Sequence, residues 1–147
     1  MEASQRETLE AFYRALYVSP DLDAMSRCLF GRYRENFRHA MTFAGAEERY
    51  YQRYRAQAEA ALLGKFEVSV RIDASTPVPA ERTVELRRAY PEIAAAAKVS
   101  YDIVFHGSRG ERIFTNIMYM VEVGGLWYMG THLKLPIGTN ISAVSAN

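Results

Sequence analysis

Residues 98–134 read KVSYDIVFHGSRGERIFTNIMYMVEVGGLWYMGTHLK, and the register of this stretch decides the fold. Gly124-Gly125 lies between Val123 and Leu126, where a two-residue hairpin turn needs positive φ at low steric cost. Gly107-Ser108-Arg109-Gly110 lies between His106 and Glu111, a turn of the next commonest length. Three antiparallel strands follow, and opposed residues share a face. About the first turn, Trp127 opposes Glu122, Met129 opposes Met120, Thr131 opposes Met118 and Leu133 opposes Asn116. About the second, Ile103 opposes Phe114 and Tyr101 opposes Asn116.

One face therefore carries Val99, Tyr101, Ile103, Phe105, Phe114, Asn116, Met118, Met120, Trp127, Met129, Thr131 and Leu133. It is apolar, aromatic and methionine-rich, as the wall of a core or of a binding cavity must be. The other face carries Ser100, Asp102, His106, Ile113, Thr115, Ile117, Tyr119, Val121, Tyr128, His132 and Lys134. Ile117, Tyr119, Val121 and Tyr128 make it too apolar for a solvated surface. Such a patch marks an interface, and a homodimer through the outer face is expected. A one-residue bulge in either hairpin would exchange the faces locally.

Upstream, the period is helical. Ser4-Gln5-Arg6-Glu7 has the capping-box pattern, followed by Leu9, Phe12, Tyr13 and Leu16. Ser19-Pro20 reads as a second start, with Leu22, Met25 and Leu29 inward and a stop near Gly31. Arg32 to Met41 continue with Tyr33, Phe37 and Met41 four apart. A longer helix runs from Ala46 to Leu63, carrying Tyr50, Tyr54 and Ala58 on one side, with Gly64 as its stop. The period then changes to two: Phe66, Val68, Val70 and Ile72 alternate with Glu67, Ser69, Arg71 and Asp73. Thr76-Pro77-Val78-Pro79 ends that strand. Glu81 to Ala97 reads as a helical insertion interrupted by Pro91. The last residues, 138–147, are small and polar and read as a frayed tail.

The chain of 147 residues is read as one α+β domain, with 49% hydrophobic and 24% charged residues. A net charge of +1 supplies no general field for nucleic acid or for an acidic membrane. The single cysteine, Cys28, excludes an internal disulfide and suits a reducing compartment; in a helical stretch it reads as a small hydrophobe. With no apolar leader and no membrane-length apolar run, a cytoplasmic location is expected.

Helices followed by a curved antiparallel sheet that ends in Glu122-Val123-Gly124-Gly125-Leu126-Trp127-Tyr128-Met129 resemble the NTF2-like superfamily, also called SnoaL-like or ketosteroid-isomerase-like. The resemblance covers the whole chain in order of elements. It implies a cone-shaped α+β fold whose concave sheet face encloses a pocket, often in a homodimer. Isomerases, cyclases, dehydratases, transport adaptors and non-catalytic proteins share that fold, so it does not specify an activity. The inward strand positions carry no Asp, the base that ketosteroid-isomerase-like chemistry needs, and the Arg/Asp pair of epoxide hydrolases is not recognisable.

Three groups are candidates for chemistry. Tyr101 opposite Asn116 is a pair able to polarise a carbonyl, or two buried polar groups satisfying each other. Glu122 is the acid nearest that face, and a base if desolvated, but a hairpin end is usually solvated. Tyr50, Tyr51 and Tyr54 offer phenols from the helical wall, or plain core. Phe114, Met118, Met120, Trp127, Met129 and Thr131 complete the expected lining. No metal site is expected: His106 and His132 fall roughly 20 Å apart at strand rise, whereas ligands converge at about 2 Å. Asp102 in one row with Thr115 and Lys134 reads as an outer-face ion pair or a dimer contact. Arg32, Arg34, Arg38 and His39 interleave with Tyr33 and Phe37, a pattern open to single-stranded nucleic acid. Near-neutral charge and Glu35 favour a solvated helix face instead.

The first expectation is a protein that binds a small apolar molecule in a hydrophobic pocket, with any chemistry a cofactor-free isomerisation, cyclisation or dehydration. The alternative is a non-enzymatic dimerisation or protein-interaction module using the outer sheet face. A core filled by Trp127, Met118, Met120 and Met129 favours the alternative; an open cavity at Tyr101 and Asn116 favours the first.

Overall fold

A computed structural model describes residues 2–19, 21–43, 45–62 and 64–130. Four helices, α1 (Glu2–Tyr17), α2 (Leu22–Arg27), α3 (Gly31–Ala40) and α4 (Ala46–Leu62), precede strand β1 (Phe66–Pro77). Helix α5 (Ala80–Ala89) then leads to β2 (Ala95–Gly107), β3 (Gly110–Val123) and β4 (Leu126–Met129). The strands form one curved antiparallel sheet in the order β1-β2-β3-β4, not closed into a barrel. The class is α+β.

Both hairpins have the register expected from their turns. Tyr101 pairs with Asn116, Ile103 with Phe114 and His106 with Glu111, while Met120 pairs with Met129 and Glu122 with Trp127. Gly124 and Gly125 have φ of 59° and 82°, the conformation the turn requires. Neither hairpin slips, so the inner face is as derived. Val99, Tyr101, Ile103, Met118, Met120 and Met129 are fully buried, and Trp127 nearly so. Thr131, His132, Leu133, Lys134 and the 138–147 tail lie outside the described residues.

The helix starts depart from expectation. Helix α1 is already helical at Glu2, so Ser4 lies inside it and does not cap it. Helix α2 starts at Leu22 because the Asp21 carboxylate accepts the Ala24 N–H at 3.1 Å, displacing the start read at Ser19-Pro20. It ends at Arg27, and Gly31 opens α3 instead of closing α2. The residues at 80–97 divide: Ala80–Ala89 is helical, but the alanines from Ala95 are strand, paired with Glu122, Val121 and Met120. Alanine's helix propensity is outweighed there by a complete ladder of β2–β3 hydrogen bonds. Strand β1 also runs past the alternating stretch to Pro77, through a register shift between Ile72 and Ala74.

Helix α1 fills the concave face. Leu9, Phe12, Tyr13 and Leu16, spaced by three and four residues, are all fully buried against the sheet. A second, smaller core lies on the outer face, where Val78, Leu86 and Ile93 from the α5 segment cover Ala96 and Val121. Tyr119 and Tyr128 pack at its margin. The outer apolar patch is thus partly covered by the chain itself, while Ile113 and Ile117 stay 49% and 46% exposed.

Both sheet edges are occupied. At β4, Phe30 N–H donates to the Met129 carbonyl at 3.0 Å and Met129 N–H to the Cys28 carbonyl at 2.7 Å. At β1, the Glu10 carboxylate accepts the Val70 N–H at 2.9 Å and Arg14 Nε donates to the Val68 carbonyl at 3.2 Å. Side chains of α1 therefore satisfy two of the backbone groups that this edge strand would offer to another chain.

Candidate functional site

The concave face brings Tyr101 and Asn116 together and adds a residue that hairpin pairing could not supply. Tyr13, from the middle of α1, places its hydroxyl 2.7 Å from that of Tyr101. Asn116 hydrogen-bonds to both phenols. Both tyrosines are fully buried and Asn116 is 7% exposed. Burial pushes the Tyr13 phenol up to about 12 and the Tyr101 phenol well above its ordinary value. Each is held neutral, so chemically the trio is a set of hydrogen-bond donors and acceptors with no charged base among them.

Around it the core is continuous. Tyr17 stacks on Tyr13 at 6.4 Å and meets Phe105 edge-on at 5.0 Å; Phe114 meets Phe105 edge-on at 5.4 Å. Tyr54, from α4, packs edge-on against Tyr17 at 6.5 Å. The Tyr50 and Tyr51 side chains lie outside the described residues. Tyr101, Ile103, Met118, Met120 and Met129 are fully buried within it. Helix α1 packs against the face expected to line a pocket.

Glu122 does not join the trio. It lies six residues along β3 from Asn116, roughly 20 Å at strand rise, opposite Trp127 and half-buried at the hairpin end. Its backbone carbonyl accepts the Ala94 N–H at 2.8 Å, a structural bond. A further buried polar side chain, Gln5, was not singled out from the sequence. It lies one turn before Leu9 on the same face of α1, is fully buried, and its amide finds no partner among the described residues.

A cleft of about 180 Å³ lies outside this core, between α2 and α3, lined by Leu22, Asp23, Ser26, Phe37, Arg38, Met41 and Thr42. That is smaller than the ~300 Å³ at which pockets begin to enclose drug-sized ligands. No group of three or more metal-ligating side chains converges among the described residues, and no helix among them is long and apolar enough to cross a membrane.

On the outer face the polar side chains pair across strands. Asp102 accepts from Thr115 Oγ1 at 2.8 Å and from Arg71 Nη2 at 3.0 Å, so its ionic partner is on β1. His106 lies between Ser69 and Glu111, at 2.8 and 2.7 Å. Only the His106–Glu111 half of that second row follows from a local turn. No protein-family model, no curated protein and no solved structure matches this chain.

Proposed function

We propose that the chain is an NTF2-like interaction module that pairs with a second copy of itself through the outer face of its sheet, with an interior that holds the fold together and binds nothing. The observation that carries this reading is the close-packed concave face: Val99, Tyr101, Ile103, Met118, Met120 and Met129 are fully buried, and its polar groups, Tyr101 and Asn116, are already engaged with Tyr13. Exposed apolar side chains instead lie outside, at Ile113 and Ile117 on β3. Beside them the Arg71 charge is paired within the chain with Asp102, and the Glu111 carboxylate is held by His106. Such a face neither repels its own copy nor selects a strongly charged partner, and a net charge of +1 adds little repulsion. The buried single cysteine suits a reducing, cytoplasmic setting.

Sedimentation equilibrium tests the pairing. The parent is expected to sediment at twice the chain mass and Ile113→Lys/Ile117→Lys at the chain mass, with unchanged far-ultraviolet circular dichroism. A monomeric parent overturns the reading, and the same face then becomes a candidate for a different protein.

A small-molecule reading retains one supporting feature. Among the described side chains of the 17-residue α4, only Tyr54 and Leu62 are buried, so α4 is the wall most easily moved from the aromatic core. Thermal unfolding against hydrophobic ketones, polycyclic lactones, sterols and fatty acids separates the two readings. A ligand at 100 times its Kd adds about 2.7 kcal/mol of apparent stability. A hit that weakens in Tyr101→Phe and Asn116→Leu would move the function inside.

A further inference from the structure

We propose that Ser69, His106 and Glu111 form a nucleophile–base–carboxylate relay on the outer sheet face, able to take an acyl group from an activated ester and release it to water. The three residues come from three adjacent strands, β1, β2 and β3. Ser69 Oγ lies 2.8 Å from His106 Nε2, and His106 Nδ1 lies 2.7 Å from Glu111 Oε2. A carboxylate accepts only, so the Glu111 contact puts the imidazole proton on Nδ1 and leaves Nε2 to accept the serine proton. That is the arrangement by which unrelated folds activate a serine.

The neighbouring rows supply what a substrate needs. Ser69 pairs with Val104, which pairs with Ile113, so a buried and a half-exposed apolar side chain form a shelf beside the nucleophile. Arg71, two residues on and on the same face, is held at Nη2 by Asp102 while its side chain remains 63% exposed. The register shift in β1 comes only after Ile72, so Glu67, Ser69 and Arg71 keep one face. Glu67, opposite His106, puts a second carboxylate in the imidazole's row. The substrate class is an ester with a good leaving group and a short apolar acyl chain.

The chemistry balances without a cofactor. Ser69 Oγ bonds to the acyl carbon as its proton passes to His106 Nε2. The bond to the leaving alkoxide breaks, and that proton leaves with it as the alcohol. Water then attacks the acyl-serine, giving its proton to Nε2, and the bond to Oγ breaks with the proton returned to Ser69. The sum is ester plus water to acid plus alcohol. Glu111 acts as a positioning residue.

The test is covalent labelling with a fluorophosphonate and p-nitrophenyl butyrate hydrolysis. Both are run on the parent and on Ile117→Lys, so that a face covered by a second copy is not mistaken for an inert serine. One adduct per chain is expected in Ile117→Lys, mapping to Ser69, absent when Ser69→Ala is added and retained when Ser100→Ala is added. His106→Gln and His106→Asn, each checked for native circular dichroism, should slow labelling about a hundredfold, within the range for a lost general base. Glu111→Gln should lower kcat with KM unchanged, and Glu111→Asp should restore part of it. No adduct in either background, an adduct at another residue, or labelling indifferent to both His106 variants would each overturn the relay.

Discussion

Tyr13 Oη on α1 and Tyr101 Oη on β2 lie 2.7 Å apart in the centre of the core, a bond between residues 88 positions apart that ties the first helix to the middle of the sheet. Asn116 completes it from β3. Buried polar groups that satisfy one another specify how an apolar helix docks, because any other docking would leave two phenols unpaired. Tyr101→Phe should therefore cost about 1–3 kcal/mol, the penalty for orphaning a buried partner. Tyr13→Phe/Tyr101→Phe should cost less than the two single changes added together, as measured by urea unfolding in a double-mutant cycle.

The same pair sets an alkaline limit. Burial raises both phenols above their unfolded value of 10.0, Tyr13 to about 12. A raised folded value means that the fold holds the proton more tightly than the unfolded chain. Its contribution is complete below pH 10 and is lost as pH rises through the folded value. Tyrosinate absorbance from these two residues should appear only together with loss of near-ultraviolet circular dichroism, between about pH 10 and 12. Ionisation of every tyrosine in a still-native protein would contradict this.

Burial also protects the one thiol. Desolvation, outweighing the nearby Arg27 and Arg34 charges, pushes Cys28 up to about 11. The thiolate is the reactive species, so a disulfide reagent at pH 8 should react far more slowly with the folded chain than with the chain in guanidinium.

Gln5 offers a test by gain of stability. Its fully buried amide has no partner among the described residues, so Gln5→Met keeps the volume and removes an unmet desolvation cost. The midpoint of urea denaturation should rise, by about 1 kcal/mol in free energy.

The edge of β1 is guarded by Glu10 and Arg14, themselves an ion pair at 3.2 Å. Glu10→Ala/Arg14→Ala bares the Val70 N–H and Val68 carbonyl on a 12-residue strand. Light scattering on mild heating should rise faster for this variant than for the parent, because an open edge templates pairing with other chains.

Leu86 is the fully buried residue of α5 on the outer face, clustered with Val78 and Ile93. Leu86→Ala should cost about 2–5 kcal/mol. Amide exchange at 80–94 should accelerate more than in β2 or β3, since this small core is separate from the main one.

What the sequence determined by itself was everything set by neighbours along the chain. Period-two alternation and two glycine turns specify the β2–β3–β4 registers, because a tight turn leaves opposed residues no freedom to slip. The same logic puts Tyr101 against Asn116, and helical spacing puts Leu9, Phe12, Tyr13 and Leu16 on one side of α1. The helix starts at Glu2 and Leu22 were less legible: one is not set by the Ser4 capping box, and the other depends on whether Asp21 or Ser19 finds the free N–H. The alanine run at 94–97 was ambiguous because only pairing with β3 makes it a strand.

Only the tertiary structure decided the rest. No local rule docks α1 on the sheet, so neither the filling of the concave face nor the Tyr13 bond could be read in advance. No turn joins β1 to β2, since α5 and its flanks lie between them, and their register rests on long-range packing. That register alone brings Ser69 to His106 and Arg71 to Asp102. Residues distant in sequence meet by the geometry of closure and burial, which the one-dimensional pattern constrains only through total apolar surface.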